Sequence, residues 1–542
     1  VILPLTVLRR LDCILIPTKQ KVLDYLPKIE SAKIENIDPI LNNVAGLAFH
    51  NRSKYDFEKL VASPDHIAAN LRNYINGYSE SAREIIDKFE FDKQLERLEE
   101  SNLLFMIVKR FAELDLADIS TMEMGYLFEE LIRKFAELSN ETAGEHFTPR
   151  EVIRMMVNLL FLNDRDILTT KGIVKTLYDC ASGTGGMLSI ADEYLQHLNP
   201  EARLELFGQE LNPESFAICK SDMLIKGQNP QNIKFGNSFT ADGLFDEKFD
   251  YMLSNPPFGV EWKKAEKEIK KEADELGFAG RFGAGLPRIS DGSFLFLQHM
   301  ISKMKAVKDG GSRLAIVFNG SPLFAGSAGS GESEIRKWVI ENDWLEAIIA
   351  MPDQLFYNTG ISTYVWVVTN RKPALRQGKI QMINVVSFFN KMSKSLGNKR
   401  NEIGEEHIAE ITRLYGNFQE SEFCKIFDNE DLGYSRITVE RPLRDDKGNI
   451  VKDSKGKPKP DTNLRDNENI PLKEDIEEYF NREVFPHVFD AWIDHDKTKI
   501  GYEINFTRYF YQFKSLRKLT EIRDDIITLE DKTSGILKKI LQ

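Results

Sequence analysis

The sequence predicts an α/β protein: a mostly parallel sheet flanked by helices, with a helical N-terminal domain and a helical C-terminal extension. Three observations predict it. Residues 1 to about 140 carry apolar residues at helical spacing. From about 141 to 390, short apolar runs alternate with helical stretches. The run 249–254 then stops at Asn255-Pro256-Pro257-Phe258, where two prolines without N–H groups cannot continue a central ladder. At 542 residues the chain exceeds one ordinary domain. The divisions expected are 1–140, 141–400 and 401–542.

Val1 to Pro17 is apolar, but Arg9, Arg10 and Asp12 interrupt it and no small-residue cleavage site follows. A buried amphipathic helix is expected there rather than a signal peptide. The chain starts at Val1 rather than Met, which leaves room for residues upstream. Leu103–Val108 and Met124–Ile132 have helical spacing. Expected strands are Thr176–Asp179, Leu204–Glu210, Phe249–Ser254, Arg313–Phe318, Leu345–Ala350 and Ser362–Val368. The last two, joined by a short connection, are expected to end the sheet as an antiparallel pair. Residues 441–470 are polar and rich in Lys, Asp, Asn and Pro, which predicts a flexible or hairpin-like insertion. Leu516, Leu519, Ile522, Ile526, Leu529, Ile536 and Ile540 predict a terminal helix. It either binds a partner or folds back on its own domain.

With 42% hydrophobic residues the chain can bury sizeable cores, and 29% charged residues suit a soluble surface. Cys13, Cys180, Cys219 and Cys424 are scattered, without Cys-x-x-Cys or Cys–His ligand spacing. A reducing, cytoplasmic setting follows, with no disulfide frame and no metal site. No apolar run approaches the roughly 20 residues of a membrane span, so no membrane partner is expected. The net charge of −12 does not suit a chain that grips DNA alone, because phosphate neutralisation supplies most non-specific affinity. Another subunit is expected to supply much of any DNA contact.

Asp179-Cys180-Ala181-Ser182-Gly183-Thr184-Gly185-Gly186 leaves a strand and enters a helix. Its glycines allow a sharp turn and a close approach to a ligand. A dinucleotide fingerprint would need a third glycine where Leu188 stands, and the lysine of a phosphate cradle is missing. Glu210 ends the next strand, where a carboxylate can take both hydroxyls of a ribose. Its plain alternative is a solvated glutamate. Asn237 follows a third strand and can bond an adenine amine or shape a turn. Upstream, Thr148 can cap a helix with Pro149 at its first position and Glu151 three residues on. Asn255-Pro256-Pro257-Phe258 leaves the sheet at its carboxyl edge, where open α/β sheets place ligands. An amide oxygen, a proline-flanked carbonyl and an aromatic face can grip a planar group that carries an exocyclic amine.

This order of segments resembles the amino-methylating DNA methyltransferases. More narrowly, it is similar to the methylation (M) subunits of type I restriction–modification systems, which are adenine-N6 methyltransferases. Val1–Asp12, Gly331–Arg336 and Leu355–Ile361 are also similar to segments of that family. Cys180 departs from the proline usual in the cofactor loop. The resemblance implies a Rossmann-like S-adenosylmethionine-dependent core. Glu145, His146, Phe147, Thr148, Pro149 and Arg150 would contact the cofactor, with Phe147 and Thr148 foremost. Asp179, Ser182, Gly183, Thr184, Gly185 and Gly186 would form its loop, Glu210 would hold its ribose, and Asn237 would lie near its adenine. Asn255, Pro256, Pro257 and Phe258 would be catalytic. Double-stranded DNA, a specificity (S) subunit, a second M subunit and a restriction (R) subunit are the implied partners.

Two other readings share these motifs: a methyltransferase of a protein glutamine or an rRNA guanine amine, and a catalytically silent scaffold. Lys391-Met392-Ser393-Lys394-Ser395 matches the signature loop of class I aminoacyl-tRNA synthetases. The His-Ile-Gly-His motif those enzymes need is missing, so a basic loop is expected. That loop, with Arg281, Arg288, Lys399 and Arg400, is a candidate for phosphate contact; each is otherwise a solvated charge. Gly326–Gly331 is expected to be a mobile loop over the active site. Gly280–Gly285 is expected to be a lip that orders on DNA, and His299 a core histidine.

Overall fold

Strands β1 (Val174–Asp179), β2 (Arg203–Glu210), β3 (Ile233–Phe235), β4 (Tyr251–Ser254), β5 (Arg313–Asn319), β6 (Leu345–Ala350), β7 (Thr363–Thr369) and β8 (Lys379–Asn384) belong to one sheet. A hairpin, β9 (Asn390–Leu396) and β10 (Lys399–Glu402), follows, and β11 (Cys424–Asp428) returns to the sheet. The sheet order is β11-β8-β6-β7-β5-β4-β1-β2-β3. The computed structural model describes residues 1–542 except 33, 35, 121–122, 129, 132–133, 135–147, 358, 512–516 and 541–542. Ile132 and Leu516, named above, and Glu129 and Asn358, within the segments Met124–Ile132 and Leu355–Ile361, thus lie outside the described residues.

β5 and β6 are buried almost throughout. Their near-continuous apolar runs are what a sheet covered on both faces requires. β7 runs antiparallel between β5 and β6, so the expected antiparallel pair forms. It does not end the sheet: β8 adds parallel to β6, and β11 adds antiparallel to β8. The alternating polar residues of Lys379–Asn384 concealed that strand. The Asp250 carboxylate joins β4 to β1, accepting from Thr176 N (3.0 Å), Thr176 Oγ1 (2.9 Å) and Lys175 Nζ (3.0 Å).

The N-terminal region is helical. Its first helix, Ile2–Ala32, continues through Pro17 and Pro27. The charges that interrupt its apolar run are buried and partnered. Arg9 Nη1 donates to Asp12 Oδ2 (2.7 Å), Tyr74 Oη donates to Asp12 Oδ1 (2.6 Å), and Arg10 donates to the carbonyls of Ala117 (3.0 Å) and Ile119 (2.6 Å). Leu8, Leu11, Leu71 and Phe57 pack into a core that also takes Ala217 and Ile218 of the Pro213–Ile225 helix. That shared core seats the helical region against the β2–β3 side of the sheet.

Beyond the sheet, β12 (Gly433–Glu440), β13 (Asp466–Pro471) and β14 (Trp492–Tyr502) form a three-stranded antiparallel sheet. The polar stretch expected at 441–470 leaves β12 and returns as β13. Between them, bridges Pro442–Pro460, Arg444–Ile450 and Lys452–Pro458 fold it back on itself, so the hairpin-like alternative describes it. Residues 505–542 form a separate unit containing the Leu519–Ile540 helix, on which Leu519, Ile526 and Leu529 are exposed. Among the described residues no helix is long and apolar enough to cross a membrane.

Glu346 on β6 is fully buried. It accepts from Arg313 Nη2 and from Asn163 Nδ2 (3.2 Å), and it pairs with the Arg376 guanidinium (3.3 Å). Arg313→Met leaves that carboxylate under-compensated in the sheet. A loss of about 3–5 kcal/mol is expected, read as a lowered midpoint of chemical unfolding.

Candidate active site

β1 delivers Asp179 to the carboxyl edge of the sheet, and the chain turns through 180–185 into the Gly186–Leu198 helix. Gly183 and Gly185 adopt positive φ (52° and 85°). A β-carbon at Gly185 would also lie 2.8 Å from Cys219 Sγ, so glycine is required there. The loop is held by its neighbours. Ser182 N donates to Gln209 O (3.0 Å), Gly183 N donates to Glu210 Oε2 (2.7 Å), and Ser238 Oγ donates to Cys180 O (2.6 Å). Glu210 Oε1 accepts from Asn212 N (2.7 Å). Asn237 shapes its turn, accepting from Phe239 N at Oδ1 and from Ala241 N at its carbonyl, both at 2.8 Å.

These segments enclose a cavity of about 630 Å³. Thr148, Asp179, Ser182, Gly183, Thr184, Gly186, Glu210 and Asn237, all candidates above, line it. Asn255 and Pro257 line the same cavity, so the proline turn and the glycine loop meet across one space. β4 sits between β1 and β5, which puts its carboxyl end beside that of β1. Asn255 Nδ2 donates to Thr148 Oγ1 (2.9 Å). Among the described residues, Asn255 Oδ1 is shielded from solvent and has no partner. A shielded amide oxygen beside a cavity favours a ligand that brings an N–H donor. Pro256 is buried, and Phe258 packs edge-on to Phe356 with ring centroids 5.9 Å apart.

Some expectations change. Thr148 does not cap the following helix. That helix runs Arg150–Phe161 with Pro149 as its N-cap and no side-chain cap bond, because the Thr148 hydroxyl faces Asn255. Pro149, Arg150 and Gly185 do not line the cavity. Arg150 lies over the Tyr126 ring (5.6 Å) and so near Gly125 that a β-carbon there has no room. Glu145, His146 and Phe147 fall outside the described residues.

Arg281 is a strut rather than a phosphate contact. It binds Glu272 (2.6 Å) and the carbonyls of Ser238 (2.8 Å) and Phe239 (2.7 Å). Phe282 beside it is buried, so the 280–285 segment is a packed corner and not a lip. Gly326–Gly331 does not border the cavity. Its Ser330 caps the Gly331–Glu341 helix, and Gly326 O receives Arg336 Nη2 (3.2 Å). Arg288 donates to Ser321 Oγ (2.7 Å). His299 is buried against Tyr178 Oη (2.9 Å), and burial pushes its pKa down to about 3, as a core histidine requires.

Phe239, Trp262 and Phe296 supply an apolar wall that the sequence motifs did not mark. They come from three segments that only the tertiary fold brings together. Asn212 and Pro213 also line the cavity; the Asn-Pro pair beginning two residues after Glu210 was the available signal for a helix start.

Burial raises the Asp179 pKa to about 7, and Glu210 nearby adds to the rise. Hydrogen bonds from Ala181 N (3.0 Å) and Ser254 Oγ (2.8 Å) oppose it. In the unfolded chain the group ionises near 3.8. Between these values the folded state keeps the proton that the unfolded state releases, so stability falls as pH rises from about 4 to 7. Asp179→Asn should remove that decline in a series of melting curves across the window.

The family model described as N-6 DNA Methylase matches residues 120–441, and the one described as HsdM N-terminal domain matches residues 1–111. The methylase subunit of the type I restriction enzyme MjaIX of Methanocaldococcus jannaschii is 27% identical over 370 residues, 67% of this chain and 60% of that protein. The HindI methylase subunit of Haemophilus influenzae is 28% identical over 263 residues, 48% of this chain and 54% of that protein. The chain thus spans little more than half the length of such relatives. The methyltransferase subunit of a type I restriction–modification system from Streptococcus thermophilus shares the fold. Its TM-score is 0.61 at 23% identity, over 79% of this chain and 91% of that one.

Proposed function

The chain belongs to the N-6 DNA methylase family, and on that premise we propose that it methylates adenine N6 in DNA with S-adenosylmethionine as donor. One observation carries the reading. The shielded, unpartnered Asn255 Oδ1 lies on the same cavity as the glycine loop.

The residues present fit that cofactor. Gly183, at positive φ, brings backbone to the cavity wall. The half-neutral Asp179 carboxyl suits a cationic ligand, and Phe239 and Trp262 give apolar faces. Ser182, Gly183 and Thr184 would hold its methionine end. Glu210 would hold its ribose: each carboxylate oxygen already accepts one backbone N–H and keeps a lone pair for a hydroxyl. Asn237 would lie near its adenine. When bound, S-adenosylmethionine supplies an electrophilic methyl group.

The substrate amine is a poor nucleophile because its lone pair is delocalised into the purine ring. Asn255 Oδ1 and the Pro256 carbonyl accept its two hydrogens and draw the nitrogen toward tetrahedral geometry. The lone pair then points along the line of transfer. Phe258, braced by Phe356, offers a ring to the base. The amine is out of reach inside a duplex, so the nucleotide must be extruded. Positioning and electrostatics carry the rate.

The names of the relatives extend the reading to assembly. The chain would act as the modification subunit of a type I restriction–modification complex. A specificity subunit would read the site, with a second modification subunit and restriction subunits. The net charge of −12 supports shared DNA contact.

Labelled-methyl transfer to duplex DNA, with N6-methyladenine as product, tests the activity. Transfer only to ribosomes or a protein glutamine would reject it. Asn255→Ala should lower transfer about a hundredfold or more while cofactor affinity, read by calorimetry, is retained. Thr148→Val removes the acceptor that orients the amide. It should lower kcat about tenfold without abolishing transfer, as read in steady-state kinetics.

A further inference from the structure

The Lys391–Ser395 motif has no part in the cofactor or base sites. The segment is not a loop: it forms β9, paired antiparallel with β10. A lone two-stranded hairpin is marginal in water, so its anchorage is informative. Lys399, 3% exposed, donates to the Glu151 carboxylate, to Leu355 O (3.2 Å) and to Asn401 O (2.9 Å). Asn398 N donates to Tyr357 O (2.9 Å) and Arg400 N to Gln354 O (2.9 Å). Asn401 Nδ2 donates to Asp353 O (3.0 Å).

Apart from the Lys399–Asn401 bond within the hairpin, these ties reach segments that back Phe258 and Asn255. Residues 353–357 carry Phe356, which packs on Phe258. Glu151 lies three residues after Thr148, the partner of Asn255. Lys399 is thus a buried clamp, not the phosphate contact expected of it.

The rest of the hairpin faces water. Lys391, Lys394 and Arg400 are exposed, and their side chains have no ion pair or hydrogen bond among the described residues. The acids at its root are already engaged. Glu151 pairs with Lys399, Glu405 with Arg154, and Glu406 with Asn390 (2.9 Å); Glu402 is the exposed exception. A further two exposed cations, Lys263 and Lys264, line the cavity itself. In a chain of net charge −12, unpaired cations on the cavity lining and on a hairpin tied to the segment behind Phe258 mark where a polyanion approaches.

We infer that the β9–β10 hairpin grips the DNA phosphate backbone next to the extruded nucleotide, through Lys391, Lys394 and Arg400. The inference rests on the DNA reading of the site. Lysines also keep an exposed strand from pairing with another copy, but that role needs no anchorage to the base site.

The test uses the full chain assembled with the subunits that co-purify with it. The probe is a labelled duplex containing the site that the wild-type assembly methylates, titrated from about 50 to 200 mM salt. Lys391→Gln, Lys394→Gln and Arg400→Gln together should weaken binding roughly tenfold or more. The slope of log affinity against log salt should fall by about one for each cation removed. The KM for DNA should rise in parallel, with cofactor affinity and melting temperature unchanged. Lys391→Arg, Lys394→Arg and Arg400→Lys together should restore affinity and slope. Wild-type affinity and slope in the glutamine variant, with transfer to DNA by the wild-type assembly intact, would overturn the inference alone. Self-association of that variant with unchanged DNA affinity would also overturn it, in favour of edge protection. Failure of the wild-type assembly to methylate any DNA would instead overturn the functional reading, and the hairpin's role with it.

Discussion

The hydrogen bond from Asn255 Nδ2 to Thr148 Oγ1 decides what the site can do. An amide has one donor end and one acceptor end, and engaging the donor leaves the acceptor for the cavity. That orientation depends on two backbone constraints. Pro256 and Pro257 force the chain off the sheet directly after Asn255. Pro149, with φ −54° and ψ 137°, holds Thr148 just outside the helix rather than within its first turn. The two segments are 107 residues apart in sequence, and the Arg150–Phe161 helix, packed in one core with β4 and β5, brings them together.

The same edge explains the charge of the cavity. Asp179 and Glu210 end adjacent parallel strands, paired as Asp179 with Gly208, so two carboxylates converge in a partly desolvated space. Glu210 is stabilised by two backbone N–H groups. Asp179 receives one backbone N–H and a serine hydroxyl, and it is the more deeply buried of the two. Their environments therefore differ although their residue chemistry is nearly the same. A cationic ligand would relieve the strain at Asp179, whereas a neutral nucleoside would not.

Much of this was legible in the sequence because the signals were local and stereochemical. A strand ending in Asn-Pro-Pro, a glycine loop after an aspartate and a glutamate one unit later each constrain their own backbone. The failures have equally definite causes. Thr148 carried a sound capping pattern, but a tertiary hydrogen bond competed for its hydroxyl. Arg281 and Lys399 looked like solvated cations because nothing local reveals that Glu272 and Glu151 are their partners. Phe239, Trp262 and Phe296 lie on separate segments, so no periodicity links them. β12 to β14 escaped notice because their exposed faces are polar and a long excursion separates the first two.

One topological feature gathers the remaining parts. Because β7 runs antiparallel between β5 and β6, β6 ends and β7 begins at the same edge. The connection 351–362 must therefore cross the carboxyl end of the sheet, and it carries Phe356 to Phe258. β8 runs parallel to β6 and also ends at that edge, which delivers the β9–β10 hairpin there. A β7 parallel to β6 would instead make 351–362 a crossover to the opposite edge. The inverted β7 thus divides the labour of the sheet. The parallel half, β4-β1-β2-β3, builds the cavity proposed to hold the cofactor, and the mixed half presents the segments proposed to meet the substrate.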